Sequence, residues 1–266
     1  MFLDLNLIRL PNGLRNLTTL EVLLDAIVDS AHIAEKLGHL TQLRILSVEL
    51  ELGNETRCDE GICKALVESL GKLEKIEKMR VDSDAGVMNL EGSLLSLGNL
   101  SYLRIGQTSL LPTWINPGSL LLLSCLKITV AQVRREDIHV LGMLRALCCL
   151  EVSVFHDDDV DDDDTQVLER FMVGPDAFPC ARDCRFYGFL MVPSMFPRGA
   201  MPMLENFRFC IRTEAFAEGE FTTDDLALGH LPSLQSVSVR HNCRKEESNG
   251  EEEVNQSYKD AQTLET

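Results

Sequence analysis

Apolar side chains recur along this chain in one frame: apolar, two residues, apolar, two residues, apolar, one residue, apolar. Nine segments fall in it. They are Leu17-Leu20-Leu23-Asp25, Leu40-Leu43-Leu46-Val48, Leu73-Ile76-Met79-Val81, Leu97-Leu100-Leu103-Ile105 and Leu120-Leu123-Leu126-Ile128, followed by Leu144-Leu147-Leu150-Val152, Phe178-Ala181-Cys184-Phe186, Met201-Leu204-Phe207-Phe209 and Leu231-Leu234-Val237-Val239. Of these 36 positions 35 are apolar, and only Asp25 breaks the rule. A chain that is 45% hydrophobic would give about 16 by chance.

Successive segments start 23, 33, 24, 23, 24, 34, 23 and 30 residues apart. A unit of about 24 residues is the length of a leucine-rich repeat. One such unit cannot bury its own leucines, whereas stacked units bury them against each other. The last apolar-x-apolar pair of each unit predicts a short strand, and the strands of stacked units form a parallel sheet. The expected fold class is therefore α/β: a leucine-rich repeat solenoid, or horseshoe, with its parallel sheet on the concave face and about ten irregular repeats.

The three long spacings mark excursions. Before the third unit, Asp59 to Leu70 predicts a helix, with Asp59 as cap, Ile62, Ala65, Leu66 and Leu70 as apolar stripe, and Gly71 as stop. After the sixth unit an acidic loop spans 156–165, and Thr165 to Met172 predicts one or two helical turns. Glu214 to Asp225 is polar and loop-like. At the start, Leu3, Leu5 and Leu7 alternate like a strand, so the chain is expected to begin inside a unit, uncapped, as a piece of something longer. The repeat domain is expected over 1–241. The polar, acidic tail over 242–266 is expected to be disordered or a short helix.

The stretches LPNGLRNLTTLEVL, LGHLTQLRILSVEL, PTWINPGSLLLLSCLKI with VRREDIHVLGML, FPCARDCRFYGF and GAMPMLENFRF resemble the C-terminal repeat region of plant intracellular nucleotide-binding leucine-rich repeat disease resistance proteins, the coiled-coil class of grasses. The leucine frame is shared by all repeats of this type. PTWINPGSL and FPCARDCRF are the more discriminating segments. The resemblance implies a non-enzymatic module that senses a pathogen protein and restrains the receptor's switch. It transfers no catalytic or ligand residue. The chain has no Gly-x-x-x-x-Gly-Lys-Ser/Thr loop, so nucleotide binding is not implied. The alternative is the substrate-binding repeats of an F-box type ubiquitin-ligase adaptor, or a signalling scaffold.

Charge changes this picture more than composition does. The net charge is −17, which argues against nucleic acid and anionic membranes as partners. Its distribution matters more: the run from Asp157 to Asp164 carries −7 and the tail from Asn242 carries −4, leaving −6 for the rest. The residue between the two strand apolar positions of each unit points to the concave surface. In unit order these are Leu24, Ser47, Arg80, Arg104, Lys127, Glu151, Arg185, Arg208 and Ser238, and Lys78 and Arg240 lie two positions away on the same face. This predicts a basic column of Lys78, Arg80, Arg104, Lys127, Arg185, Arg208 and Arg240. One reading is an ordinary solvated sheet face. The other is a protein-binding surface for an acidic partner: a pathogen effector, a host target, the receptor's own nucleotide-binding module, or the chain's own acidic loop.

The remaining chemistry is sparse. The aspartate run lacks the glycine and the ligand spacing of a calcium loop. Cys58, Cys63, Cys180 and Cys184 are spaced more loosely than zinc knuckles, and Cys184 takes a buried frame position. Sequons occur at Asn16, Asn54, Asn99 and Asn255, two of them produced by the repeat consensus itself. No catalytic motif, metal site or cofactor loop is present, and no apolar run reaches the length of a membrane span. Nine scattered cysteines and the lack of a secretory signal predict a cytoplasmic protein.

Overall fold

The computed structural model describes residues 8–10, 13–51, 60–84, 86–94, 97–155, 173–187, 196–211 and 228–241. The expected strand at Leu3 to Leu7, the Asp59 cap, the acidic loop with the turns after it, the 214–225 segment and the tail lie outside the described residues.

Ten strands form one open sheet in strictly sequential order: β1 (Ile8–Arg9), β2 (Val22–Val28), β3 (Ile45–Leu50), β4 (Lys78–Ser83), β5 (Tyr102–Thr108), β6 (Cys125–Val130), β7 (Cys149–Val154), β8 (Asp183–Tyr187), β9 (Asn206–Ile211) and β10 (Ser236–His241). Every pairing is parallel. Sequential parallel strands require each connection to return the chain to its starting side, and this is the repeat solenoid that the leucine frame predicts.

The frame has a local cause. In all nine units the amide of the second frame residue donates to the carbonyl of the first, from Leu20 to Leu17 through to Leu234 to Leu231, at 3.0–3.4 Å. That three-residue closure puts both side chains on the inner side of a turn. The third and fourth frame residues then lie on one face of a strand, two apart. All 28 frame positions of the second to eighth units are at most 2% exposed. They belong to one continuous core running from Leu14 to Leu231. The outer units are more open, with Leu17 and Val237 over 40% exposed.

A second repeated bond stitches units together. The carbonyls of Glu21, Arg44, Glu77, Ser101, Ser124, Cys148, Arg182 and Glu205 each accept two consecutive amides from the next unit, at 2.8–3.2 Å. These bonds fix the register at the strand entry in every step from β2 to β10.

Asp25, the single frame break, is explained by a β-bulge. The β2–β3 register shifts between Leu23 and Ala26, so that Ala26 rather than Asp25 pairs with Val48 and is fully buried. Asp25 adopts a left-handed φ of 51°, and its carboxylate accepts a bond from Ser47 Oγ at 3.3 Å. One inserted residue turned the polar side chain out and restored the apolar phase. A second register shift falls at Gly106 in β5. A Cβ there would come within 2.7 Å of Asp82 Oδ1, so the glycine leaves room for that carboxylate.

Among the described residues three α-helices lie in the return segments: α1 (Ala31–Leu37), α2 (Glu60–Leu70) and α3 (Arg135–Gly142). The helix expected to end at Leu70 is α2, and its predicted stripe of Ile62, Ala65, Leu66 and Leu70 is buried. The other two were not anticipated. In α1, Ile33, Ala34 and Leu37 are buried against the core. In α3, Asp137 secures the first turn, accepting the Arg134 backbone amide at 2.8 Å and its guanidinium at 3.0 Å. Between β5 and β6, Trp114 Nε1 donates to the Leu90 carbonyl at 2.9 Å, and Asn116 Oδ1 accepts the Gly118 and Ser119 amides.

Candidate functional site

The face of the sheet opposite the core presents residues that alternate with the buried frame positions. Register runs Ser47, Arg80, Arg104, Lys127, Glu151, Arg185, Arg208 and Ser238 straight across β3 to β10, each directly paired with the next. Five residues of the predicted column, Arg80, Arg104, Lys127, Arg185 and Arg208, therefore share one row. Lys78 stands one row over, in register with Tyr102. Arg240 lies in β10 opposite Cys210, and its side chain is outside the described residues.

The row is not a bare stripe of positive charge. Asp82 binds Arg80 through Nε and lies 3.8 Å from Arg104 Nε. Glu151 lies 3.9 Å from Lys127 Nζ and 3.7 Å from Arg185 Nη1, and Asp183 accepts from Arg185 Nε at 3.0 Å. Two ion-pair chains result, Arg80–Asp82–Arg104 and Lys127–Glu151–Arg185–Asp183. They relieve the self-repulsion that five like charges across neighbouring strands would carry. Asp82 and Asp183 were not read as part of the site. Their signal was in the sequence, since each lies two residues from an arginine of the row and so on its face. Lys78 and Arg208 form no ion pair with another described residue. From β4 to β9 the face holds six cations, Lys78, Arg80, Arg104, Lys127, Arg185 and Arg208, against the three carboxylates of Asp82, Glu151 and Asp183.

The β2–β3 end has the opposite sign. Glu49 pairs in register with Asp82, and Asp25 is turned out on the same side. Burial first, then the neighbouring Asp82 and Asp84, hold the Glu49 carboxyl above the usual carboxylate range; Arg80 opposes this, and Asp25 adds slightly to it. A folded-state pKa above the unfolded value means that the folded chain binds the proton more tightly. The resulting cost is fully present above the folded pKa and vanishes below the unfolded one. Glu49→Gln is therefore expected to raise the urea midpoint at neutral pH and to leave it unchanged in acid below the usual carboxylate range. An equal gain at both pH values would show that charge is not the cause.

Other sequence candidates fall into place. Cys63 and Cys184 are buried, and burial pushes the Cys184 thiol well up. Among the described residues no group of three His, Cys, Asp or Glu side chains is arranged to hold a metal ion. Cys58 and the aspartate run lie outside the described residues. Of the sequons, Asn99 is engaged within the fold, its Nδ2 donating to the Glu74 carbonyl at 3.0 Å. Cys125 and Cys149 stand on the exposed face.

A sequential parallel sheet with a continuous leucine core on one face and a wide polar surface on the other defines a repeat solenoid of the protein-interaction type. A family model described as leucine-rich repeat region matches residues 1–264. The chain belongs to this family, whose repeat domains are generally protein-binding modules without catalytic activity. Comparison with curated proteins gives no match. No helix among the described residues is long and apolar enough to cross a membrane.

Proposed function

We propose that the exposed face of the sheet recognises an acidic protein surface, and that the chain serves as the sensor and autoinhibitory repeat region of a plant disease resistance protein of the nucleotide-binding class. The observation that carries the recognition reading is the row from Arg80 to Arg208, five cations in direct register with one interrupting glutamate. A rigid sheet of this width offers many side chains at fixed spacing, which suits a protein partner of standard interface size. The excess of cations between β4 and β9 supports an acidic partner, and Lys78 and Arg208 are the charges most available to it. The defence role rests on the resemblance of PTWINPGSL and FPCARDCRF, and a cytoplasmic setting on the scattered cysteines.

The binding test reverses two cations of the row. Arg104→Glu combined with Arg208→Glu is expected to weaken capture of an acidic partner, either the receptor's own nucleotide-binding module or an effector, by about tenfold and to flatten its salt dependence. Unchanged affinity and salt slope would remove this face from the interface. The genomic sequence preceding Met1 tests the defence role: an in-frame nucleotide-binding module supports it, and an F-box helix pair transfers the chain to the ubiquitin-ligase reading.

A further inference from the structure

Strands β6 and β7 are parallel neighbours whose register sets Cys125 directly opposite Cys149. Direct partners on adjacent strands stand about 4.8 Å apart, inside the window of roughly 4.4–6.8 Å that a disulfide requires between Cα atoms. Both side chains are half-buried and lie on the exposed face, alternating with the buried Leu126 and Leu150. The two thiols face each other across the strands, and their interaction makes them unlike. Interaction with Cys149, reinforced by burial, pushes the Cys125 thiol up. The same interaction holds the Cys149 thiol below the usual range, helped by Lys127 and Arg185 against burial and Asp183. The neighbouring Cys148 and Cys184 are both pushed up by burial. One sulfur is thus the more acidic of the two, and the second stands directly opposite to resolve it, which is the arrangement that makes cysteines responsive to oxidants.

We infer that Cys125 and Cys149 form an oxidisable dithiol on the exposed face of the sheet, with Cys149 as the attacking sulfur, Cys125 as the resolving sulfur and hydrogen peroxide as the oxidant. The Cys149 thiolate attacks one peroxide oxygen, the O–O bond breaks, and the departing hydroxide takes a proton to leave as water. Cys149 is then a sulfenic acid. The Cys125 sulfur attacks the Cys149 sulfur, the S–O bond breaks, and the released hydroxide carries off the Cys125 proton as a second water. Two thiols and one peroxide become one disulfide and two waters. Parallel neighbours hold their Cβ atoms at about the strand spacing, wider than the roughly 3.8 Å mean of disulfides. Closure must draw the strands together, so the bond is strained and readily reduced by a monothiol such as glutathione. This inference does not rest on the recognition reading.

The test uses the full chain, reduced, then exposed to a small excess of peroxide and alkylated before tryptic digestion. Residues 105–127 and 146–170 are the two peptides concerned. They are expected to appear joined with the loss of two hydrogens, in wild type and in Cys148→Ser alike, and separate again after glutathione. Cys149→Ser is expected to abolish the joined species. In Cys125→Ser, Cys149 is expected to stall as a sulfenic acid that dimedone traps. In the untreated wild-type protein, Cys149 should be alkylated several-fold faster than the other described cysteines at neutral pH, a readout that needs no variant to fold. A joined species that survives Cys149→Ser, dimedone on Cys148 or Cys180 instead, fastest alkylation at another described cysteine, or folded wild type that forms no joined species would each overturn the inference.

Discussion

Phe207→Ala is expected to cost about 3–5 kcal/mol of stability. Phe207 is fully buried at the third frame position of the eighth unit. Its ring lies 4.9 Å from Phe209 in a stacked pair, and meets Phe196 and Phe186 edge-on at 5.3 and 5.8 Å. Truncation therefore removes a large apolar surface together with three ring contacts, and three rigid neighbours cannot collapse fully into the space. The loss should be local, because each unit of a solenoid packs only on its neighbours. In hydrogen exchange, amides of β8 to β10 are expected to lose protection, while those of β3 to β6 keep theirs. Uniform loss along the chain would instead show that the array unfolds as one unit.

The leucine frame made the fold legible because it encodes two things at once. Its first interval of three residues is a hydrogen-bonded turn, and its final interval of two is a strand pleat. Both follow from backbone geometry, so the buried positions from Leu40 to Phe209 could be read directly. Asp25 shows the limit. A bulge restores the apolar phase by inserting one residue, and at Asp25 that appears only as an exception. The helices α1 and α3 were missed for a related reason. Seven and eight residues are too short for a helical period to stand out from the leucines around it. Local signals existed in Asp137, three residues beyond Arg134, and in the spacing of Ile33, Ala34 and Leu37.

The candidate site was half legible. The row itself followed from strand alternation, and register bears it out from Arg80 to Arg208. Its electrostatics did not follow, because attention to one row overlooked the rows on either side. Asp82 reaches between Arg80 and Arg104 only because Gly106 leaves the space beside it empty. Such an arrangement depends on which side chain occupies the neighbouring strand, and a single unit does not contain that information.

Trp114→Ala carries an expected cost of about 3–5 kcal/mol, and Trp114→Phe separates its parts. The sheet and its amide ladder stitch neighbouring units only along the strand side of each coil. Opposite the strands, another device must hold one coil to the next, and between β4 and β6 it is the PTWINPGSL segment. Trp114, the only tryptophan of the chain, is 2% exposed and donates its indole N–H to the Leu90 carbonyl of the preceding coil. Thr113 Oγ1 adds a bond to Glu91 at 2.8 Å, and Gly92 lies so close to α2 that a Cβ would meet Val67 Cγ1 at 2.5 Å. Trp114→Phe keeps most of the apolar contact but leaves a buried carbonyl without its donor, for which about 1–3 kcal/mol is expected. Urea unfolding followed by far-ultraviolet circular dichroism measures both variants, since either substitution removes the indole fluorescence. If Phe proves as costly as Ala, the hydrogen bond to Leu90 dominates. If Phe is neutral, packing alone holds the coils together on this side, and the indole N–H is incidental to the stack.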